Sequence, residues 1–266
     1  MTARTLHRAR PAVLVIAATD SSGGAGLTRD VRVLGDFSVD ALCVVTAVTA
    51  QSDQKVTAVH HVPPEIVRAQ LTAALATRPI GAIKIGMLGT RATVEAVAEA
   101  LPASDIPIVV DPVLVSSSGG VLLDEEGRTA LTRILMPRAT LVTPNVPEVA
   151  ALLGEPPALD EDGLVSQGQR LLACGSRAIL LKGGHSQGAE AVDLLITATG
   201  VQRIGSRRVS GSSRGTGCAL ASAIAANLAK GKSLSAACEA AKTYVLGMLE
   251  PGQTPPAGQT PPVTIG

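Results

Sequence analysis

The stretch AVLVIAATDSSGGAG, residues 12–26, joins an unbroken apolar run to a polar loop that is rich in glycine. The apolar run has the near-continuous hydrophobicity of a parallel strand that is buried on both faces. The loop Asp20–Gly26 follows directly, which places it at the carboxyl end of that strand, where open α/β sheets bind ligands. The loop lacks the third glycine of the dinucleotide fingerprint, and the sequence contains no complete P-loop motif. This stretch predicts an α/β fold with a binding site that follows its first strand.

Short apolar runs alternate with longer Ala- and Leu-rich segments of helical period along the rest of the chain, a pattern typical of a parallel sheet covered by crossover helices. The predicted strands are Val13–Ala17, Ala41–Thr46, Ala82–Ile85, Ile108–Val110, Thr140–Val142 and Ala178–Leu181. The predicted helices between them include Pro64–Ala76, Arg91–Leu101, Glu125–Leu135 and Leu164–Cys174. We predict a β-hairpin from Val192–Thr197 and Val201–Ile204 near the sheet end, and two closing helices, Thr216–Lys230 and Ser233 to about Leu249.

We expect one domain over residues 12–249, an N-terminal extension over residues 1–11, and a disordered Pro- and Gly-rich tail over residues 250–266. Lys and Arg number 23 and Asp and Glu 22, so the net charge of +1 gives no general attraction for nucleic acid or an anionic membrane. The chain has no Trp, one Tyr and one Phe, whereas binding of single-stranded nucleic acid usually needs several stacking rings. The longest apolar run is far shorter than the roughly 20 residues of a bilayer span. Widely spaced cysteines indicate reduced thiols, and we expect a cytoplasmic protein.

The second glycine motif, Arg214-Gly-Thr-Gly-Cys218, opens an Ala-rich helix. Its glycines would let backbone amides approach an anion, the helix dipole would add to that attraction, and Arg214 could bind a phosphate bidentately. The same residues could instead form only a tight turn with Thr216 as the helix N-cap. Cys218 lies in the first turn, where the dipole should lower its pKa and suit it to act as a base or an orienting group. Alternatively, Cys218 is a small buried packing residue.

Polar side chains follow three later predicted strands: Asp111, then Asn145 with Glu148, and then Lys182. Asn145 and Glu148 are three residues apart, so their oxygens could face one side and bind Mg²⁺ through water, and Lys182 suits a phosphate oxygen. Each could also be an ordinary helix cap or turn residue. Because the carboxyl ends of parallel strands meet at one edge, we expect these groups to lie beside both glycine motifs. Together they are the groups that phosphoryl transfer uses, so the residues predict a kinase.

From Ala12 to about Leu249 the chain resembles the hydroxymethylpyrimidine/phosphomethylpyrimidine kinases of thiamin biosynthesis, in the ribokinase superfamily. The motifs that carry the resemblance are Asp20–Gly26, Thr46–Gln51, Lys84–Leu88, Val110–Val113, Thr143–Asn145 with Glu148, Lys182–His185 and Gly215–Cys218. The resemblance implies a three-layer α/β/α fold with a central, mostly parallel sheet, and a homodimer. It also implies ATP-dependent phosphorylation of 4-amino-5-hydroxymethyl-2-methylpyrimidine and then of its monophosphate. A Cys at position 218, where the superfamily usually has Asp, resembles the pyrimidine kinase branch and favours a catalytic role.

The resemblance also implies a role for each group at the site. Phosphoryl transfer would be carried by Cys218, Gly215, Gly217 and Lys182. The aminopyrimidine would be bound by Ala18, Asp30, Thr49, Gln51, Met87 and Val113. Asp30 and Gln51 would hydrogen-bond its ring nitrogens and amino group, and Met87 would be an apolar platform. ATP would contact Lys182, Arg214, Thr216 and Asn145, with Mg²⁺ near Asp111, Glu148 and Asn145.

Four residues depart from the family pattern, which usually has Gly, Gln, Asn and His where this chain has Ala18, Thr28, Ser52 and Arg214. Ala18 adds a methyl group beside the expected pyrimidine pocket, so these departures bear on the choice of substrate. Two alternatives therefore stay open. One is a pyridoxal or pyridoxine kinase of the same superfamily, and the other is a non-catalytic, pyrimidine-binding regulatory paralogue.

Overall fold

A computed structural model describes residues 10–116, 119–183, 190–209 and 214–250. Its strands are β1 (Ala12–Asp20), β2 (Asp40–Gln51), β3 (Val56–His61), β4 (Ala82–Ile85), β5 (Ile108–Val110), β6 (Leu141–Val142), β7 (Ala178–Leu181), β8 (Glu190–Thr197) and β9 (Gly200–Arg207). Its helices are α1 (Gly26–Asp36), α2 (Pro64–Thr77), α3 (Arg91–Ala100), α4 (Glu125–Ala130), α5 (Val146–Leu153), α6 (Glu161–Leu172), α7 (Thr216–Ala229) and α8 (Leu234–Leu249). A π-helical turn, Leu131–Leu135, and a 3-10 turn, Met136–Arg138, follow α4.

The nine strands form one sheet in the order β3-β2-β1-β4-β5-β6-β7-β8-β9. Six neighbouring strands, β2, β1, β4, β5, β6 and β7, are parallel. At the two ends of the sheet, β3 pairs antiparallel with β2, and β8 pairs antiparallel with both β7 and β9. The inner strands are buried on both faces, because helices cover each face of the sheet. This arrangement confirms the predicted α/β class, with its mostly parallel sheet and its hairpin at one end.

Alternate residues of β1 face two separate cores. Leu14 and Ile16 belong to an apolar cluster with residues of α2, α3, α5 and α6, whereas Val13 and Val15 belong to a second cluster with residues of α1, α7 and α8. Successive strand residues point to opposite faces, so one strand supplies both cores. The structure therefore has three layers, with helices on either side of the sheet.

The predicted bounds of β4, β5 and β7 are confirmed to the residue. Strand β3 was missed, because most of its side chains are exposed at the sheet edge and show no apolar alternation. The predicted helix Glu125–Leu135 is wrong in its second half, where the backbone widens into the π-helical turn. Helix α6 begins earlier than predicted, since the Asp160 carboxylate accepts a hydrogen bond from Gly163 N and caps its first turn.

The two aromatic side chains meet where α8 packs against the end of α1. The rings of Phe37 and Tyr244 are 5.0 Å apart, and the Tyr244 hydroxyl donates to Asp36 Oδ2 at 2.5 Å. No helix in the described ranges has both the length and the apolar character that crossing a bilayer requires. Residues 251–266 and most of the predicted N-terminal extension lie outside the described residues.

Candidate active site

A cavity of about 930 Å³ opens at the carboxyl ends of the parallel strands. Its wall includes Asn145, Lys182 and Cys218. Asn145 lies after β6, Lys182 directly follows β7, and Cys218 lies in the first turn of α7. These residues are far apart in the sequence and meet because every parallel strand ends at the same edge of the sheet. The predicted convergence of the polar loops is confirmed.

The two glycine motifs pack backbone against backbone at one end of this cavity. Gly215 has φ +74°, and a Cβ atom there would lie 2.2 Å from the carbonyl oxygen of Gly24. Gly215 is the N-cap of α7 and makes no side-chain capping bond, so the alternative with Thr216 as N-cap is wrong. Thr216 and Gly217 line the cavity in the first turn of the helix. The positive end of α7 thus faces the cavity, in the arrangement that binds anions in other proteins.

Lys182 is held between two carboxylates on the opposite wall. Its Nζ lies 3.0 Å from Asp111 Oδ1 and 3.7 Å from Glu148 Oε2. A Cβ atom on Gly217 would lie 3.2 Å from the same Nζ, so Lys182 reaches across to the first turn of α7. Burial lowers the pKa of Lys182, but the negative charges of Asp111 and Glu148 have the larger effect and hold the pKa above its usual value. Lys182 is therefore a charged ammonium beside the helix end, where phosphate oxygens would sit.

Asn145 and Glu148 form a reciprocal capping box at the start of α5. Asn145 Oδ1 accepts from Glu148 N at 2.8 Å, and Glu148 Oε2 accepts from Asn145 N at 2.7 Å. Burial raises the pKa of Glu148. The capping box uses Asn145 Oδ1 and Glu148 Oε2, so Glu148 Oε1 and the Asp111 carboxylate are the oxygens that could reach a metal.

The donor set fits a Mg²⁺ ion that arrives with a nucleotide. Among the described residues, no three His, Cys, Asp or Glu side chains are arranged to hold a metal. Kinase sites usually bind Mg²⁺ through one or two carboxylates, water and the substrate phosphates. Asp111 and Glu148, both beside Lys182, supply that number of carboxylates.

Apolar side chains line the other end of the cavity. Ala18, Met87 and Val113 belong to one small apolar cluster that also contains Leu122. The hydroxyl of Thr49 donates to Thr19 O at 2.8 Å, which anchors β2 to β1 beside this cluster. Thr49 and Gln51 also line the cavity, so five of the six predicted substrate residues lie together. The result is an apolar pocket with the amide of Gln51 beside it.

Asp30 is the exception, because it lies behind the cavity wall. It is fully buried and accepts from Lys84 Nζ at 2.7 Å and from Ser222 Oγ at 2.8 Å. Lys84 lines the cavity but Asp30 does not. The structure thus corrects the expectation of a direct contact between Asp30 and the ligand, since both carboxylate oxygens already have partners in the protein.

Cys218 lines the cavity, but its acidity is opposite to the prediction. Burial raises the pKa of the thiol to about 11, and the charge of Lys84 offsets only part of that rise. The prediction of a lowered pKa was wrong because it counted the helix dipole and left out desolvation. The thiol is therefore protonated at neutral pH.

Arg214 pairs with the first glycine loop and the turn after β2, which the sequence did not indicate. Its guanidinium donates to Asp20 Oδ2 at 3.3 Å, to Asp53 Oδ1 at 2.8 Å and to Ser22 Oγ at 3.0 Å. Asp53 was missed because the hairpin that carries it was not predicted. Arg214 thus lies on the apolar-pocket side of the α7 helix end, away from the carboxylates that hold Lys182.

Comparisons with known proteins agree with this geometry. A family model described as phosphomethylpyrimidine kinase matches residues 20–263. The hydroxymethylpyrimidine/phosphomethylpyrimidine kinase of Rhizobium meliloti is 42% identical over 233 residues, which is 87% of this chain and 88% of that protein. The protein of the same name from Streptomyces coelicolor is 41% identical over 267 residues, 100% of this chain and 98% of the relative.

Solved structures of two kinds of kinase have the same fold. The phosphomethylpyrimidine kinase of Clostridium difficile has a TM-score of 0.80 at 33% identity, and the match covers 91% of this chain and 100% of that one. The pyridoxal kinase of Staphylococcus aureus in complex with ADP has a TM-score of 0.84 at 30% identity, with 92% and 90% covered.

Proposed function

The chain belongs to the phosphomethylpyrimidine kinase family, and on that premise we propose that it phosphorylates 4-amino-5-hydroxymethyl-2-methylpyrimidine and then its monophosphate. Membership of this family identifies the chain as a kinase of thiamin biosynthesis with a ribokinase-like fold. The observation that carries the substrate proposal is the division of one cavity into two ends. An apolar pocket adjoins Gln51, and the positive end of α7 adjoins Lys182 and two carboxylates.

The apolar end suits a small methylated heterocycle. Ala18, Met87 and Val113 would contact the ring faces and the methyl group, so the ring could be held although the described lining residues include no aromatic side chain. Gln51 can both donate and accept, so one amide could pair with a ring nitrogen and the amino group. The ring would then direct its hydroxymethyl group towards Cys218.

The charged end suits the phosphates of ATP. In the first reaction the hydroxymethyl oxygen forms a bond to the γ-phosphorus, the bond to the β,γ-bridging oxygen breaks, and ADP leaves. The amides of Gly215–Gly217 and the ammonium of Lys182 would stabilise the charge that builds on the transferred group. Asp111 and Glu148 would hold Mg²⁺, which would supply positive charge beside the phosphates.

Cys218 would act on the acceptor hydroxyl. Because its pKa is about 11, the thiol begins the reaction protonated and can orient the acceptor oxygen by a hydrogen bond. Phosphoryl transfer has a loose transition state in most analyses, so the hydroxyl proton need leave only late, when it passes to an oxygen of the transferred phosphoryl group. In the second reaction the acceptor is already an anionic phosphate oxygen, and no proton has to be removed.

Pyridoxal kinase activity is the second candidate, favoured by the TM-scores of 0.82 to 0.84 with solved pyridoxal kinases. The two substrates are alcohols on six-membered aromatic rings, so the same apolar pocket could take either. The extra methyl group of Ala18 narrows the pocket beside the ring, which favours the smaller pyrimidine.

ADP release with Mg·ATP and each alcohol, combined with mass spectrometry of the products, tests both candidates. We expect mono- and diphosphorylated pyrimidine from the unmodified protein, and little product from a Lys182→Met variant that folds normally. Phosphorylation of pyridoxal but not of the pyrimidine would show that the proposed substrate is wrong and that the protein is a pyridoxal kinase. Binding of the pyrimidine without any ADP release would support the regulatory paralogue instead.

A further inference from the structure

Arg214 joins two carboxylates that differ sharply in their surroundings. The side chain of Asp20 is 2% exposed and that of Asp53 is 84% exposed, while Arg214 itself is 19% exposed. Asp20 Oδ1 also accepts from the backbone and hydroxyl of Ser22, each at 2.8 Å. Asp20 is therefore a fixed anchor in the first glycine loop, whereas Asp53 is a partner from the surface.

The pair with Asp53 is the exchangeable one. An ion pair in water is weak, because solvent screens the charges and two side chains must be held in place. A phosphate dianion carries twice the charge of a carboxylate and fits the planar fork of a guanidinium bidentately. A phosphate that reaches Arg214 should therefore displace Asp53, while Asp20 keeps the guanidinium in position.

The position of Arg214 determines which bound phosphate it can contact. It directly precedes Gly215 and lies with Asp20, Asp53 and Gln51 on the apolar-pocket side of the cavity wall. The other wall has its own ammonium, Lys182, between Asp111 and Glu148. The two cations thus stand on either side of the α7 helix end.

The second phosphorylation places two phosphates near each other. The phosphate already on the substrate must approach the γ-phosphate of ATP, and the two anions repel each other. The helix-end amides and Lys182 serve the transferred group, so a separate cation on the acceptor side is needed to reduce this repulsion. The first phosphorylation, with a neutral alcohol as acceptor, has no such need.

We propose that Arg214 binds the phosphate of the monophosphorylated pyrimidine, exchanging Asp53 for it, and so determines how well the chain performs the second phosphorylation relative to the first. This inference rests on the proposed function, because it concerns the acceptor of that same reaction. Arg214 is a specificity-determining residue in this role, and the first glycine loop holds it through Asp20.

The test is the ratio of kcat/KM for the monophosphate to kcat/KM for the alcohol. For Arg214→Gln we expect this ratio to fall at least about 30-fold, the lower end of what losing one member of a hydrogen-bonded charge pair costs. Arg214→Lys keeps the charge without the bidentate fork, so its ratio should fall less. Asp53→Asn removes the competing carboxylate and should raise the ratio about two- to fivefold. An unchanged ratio in all three variants would overturn the proposal.

Calorimetric titration of the monophosphate without nucleotide gives a readout that does not depend on turnover. Arg214→Gln should weaken this binding by a larger factor than it weakens binding of Mg·ADP, and the reverse order would place Arg214 at the nucleotide instead. Thermal unfolding of each variant shows that a loss is not due to misfolding. If the unmodified protein binds the monophosphate through Arg214 but phosphorylates neither pyrimidine, the contact stands and the proposed activity is wrong.

Discussion

Lys84 Nζ lies 2.7 Å from Asp30 Oδ2, and neither side chain has any solvent exposure. Burial lowers the pKa of Lys84, but the Asp30 carboxylate more than compensates and holds it above the usual value. Ser222 donates to the other oxygen of Asp30, so the pair joins β4, α1 and α7, with Lys84 at the cavity wall and Asp30 behind it. The pair supports the surface on which Met87 and Cys218 lie.

Removing Lys84 should destabilise the protein strongly. Lys84→Met leaves a buried carboxylate without its counter-charge, and we expect the free energy of unfolding to fall by about 3–5 kcal/mol. A double variant, Lys84→Met with Asp30→Leu, should recover much of that loss, because no unpaired charge remains. Urea unfolding of the two proteins measures the difference. The exposed pair Arg91–Glu95 provides the control, and Arg91→Ala should leave the unfolding midpoint unchanged.

Alkylation of Cys218 should be slow at neutral pH. The thiolate is the reactive form, and with a pKa of about 11 its fraction rises about tenfold per pH unit up to that value. Mass spectrometry of the alkylated peptides, followed from pH 7 to pH 10, measures this rate beside that of the exposed Cys43. We expect Cys43 to react faster at pH 7. Faster labelling of Cys218 there would mean that the helix dipole outweighs burial.

Gly215→Ala should disrupt the junction of the two glycine motifs. The added Cβ would lie 2.2 Å from Gly24 O at a positive φ, so we expect about 1–3 kcal/mol of destabilisation and a large loss of turnover. Gly35→Ala is the matched control, since a Cβ there meets nothing within 4 Å and α1 should gain about 0.5–1 kcal/mol. Unfolding curves and kcat of the two variants decide whether the backbone contact matters.

Lys182→Met should weaken Mg·ADP binding and change its dependence on pH. Glu148 would lose the ammonium that favours its charged form, so its pKa, already raised by burial, should rise further. Protons would then compete with Mg²⁺ at higher pH, and affinity should recover as the pH is raised. Calorimetry at several pH values measures this. Glu148→Gln removes the charge but can still accept from Asn145 N, so it separates the charge from the helix cap.

The parallel core and the meeting of its loops could be predicted because each rests on a local pattern. Residues 178–181 are continuously apolar, as a strand buried on both faces must be, and Lys182 follows them directly. Once the strands are parallel, chain topology brings Lys182, Asn145 and Cys218 to one edge. No knowledge of side-chain contacts is needed for that step.

The partners of individual charges could not be predicted in the same way. Asp30 has charged neighbours in the sequence, which suggest an exposed position. Only the packing of α1 against α7 shows that Ser222 and Lys84 enclose it. Arg214 and Asp53 are 161 residues apart, and their pairing depends on an edge hairpin with no apolar signal. The pKa of Cys218 likewise depends on burial, which the sequence of one helix turn does not contain.

The contact between Tyr244 and Phe37 gives the molecule a simple optical signature. With no Trp and a single Tyr, nearly all near-ultraviolet emission comes from the phenol of Tyr244. This phenol is hydrogen-bonded to Asp36, where α8 meets α1. Separation of these helices would free that phenol, so its fluorescence reports one defined interface. Absorption by a bound pyrimidine or adenine ring stands out against this weak background, and ligand occupancy can be followed without attaching a dye.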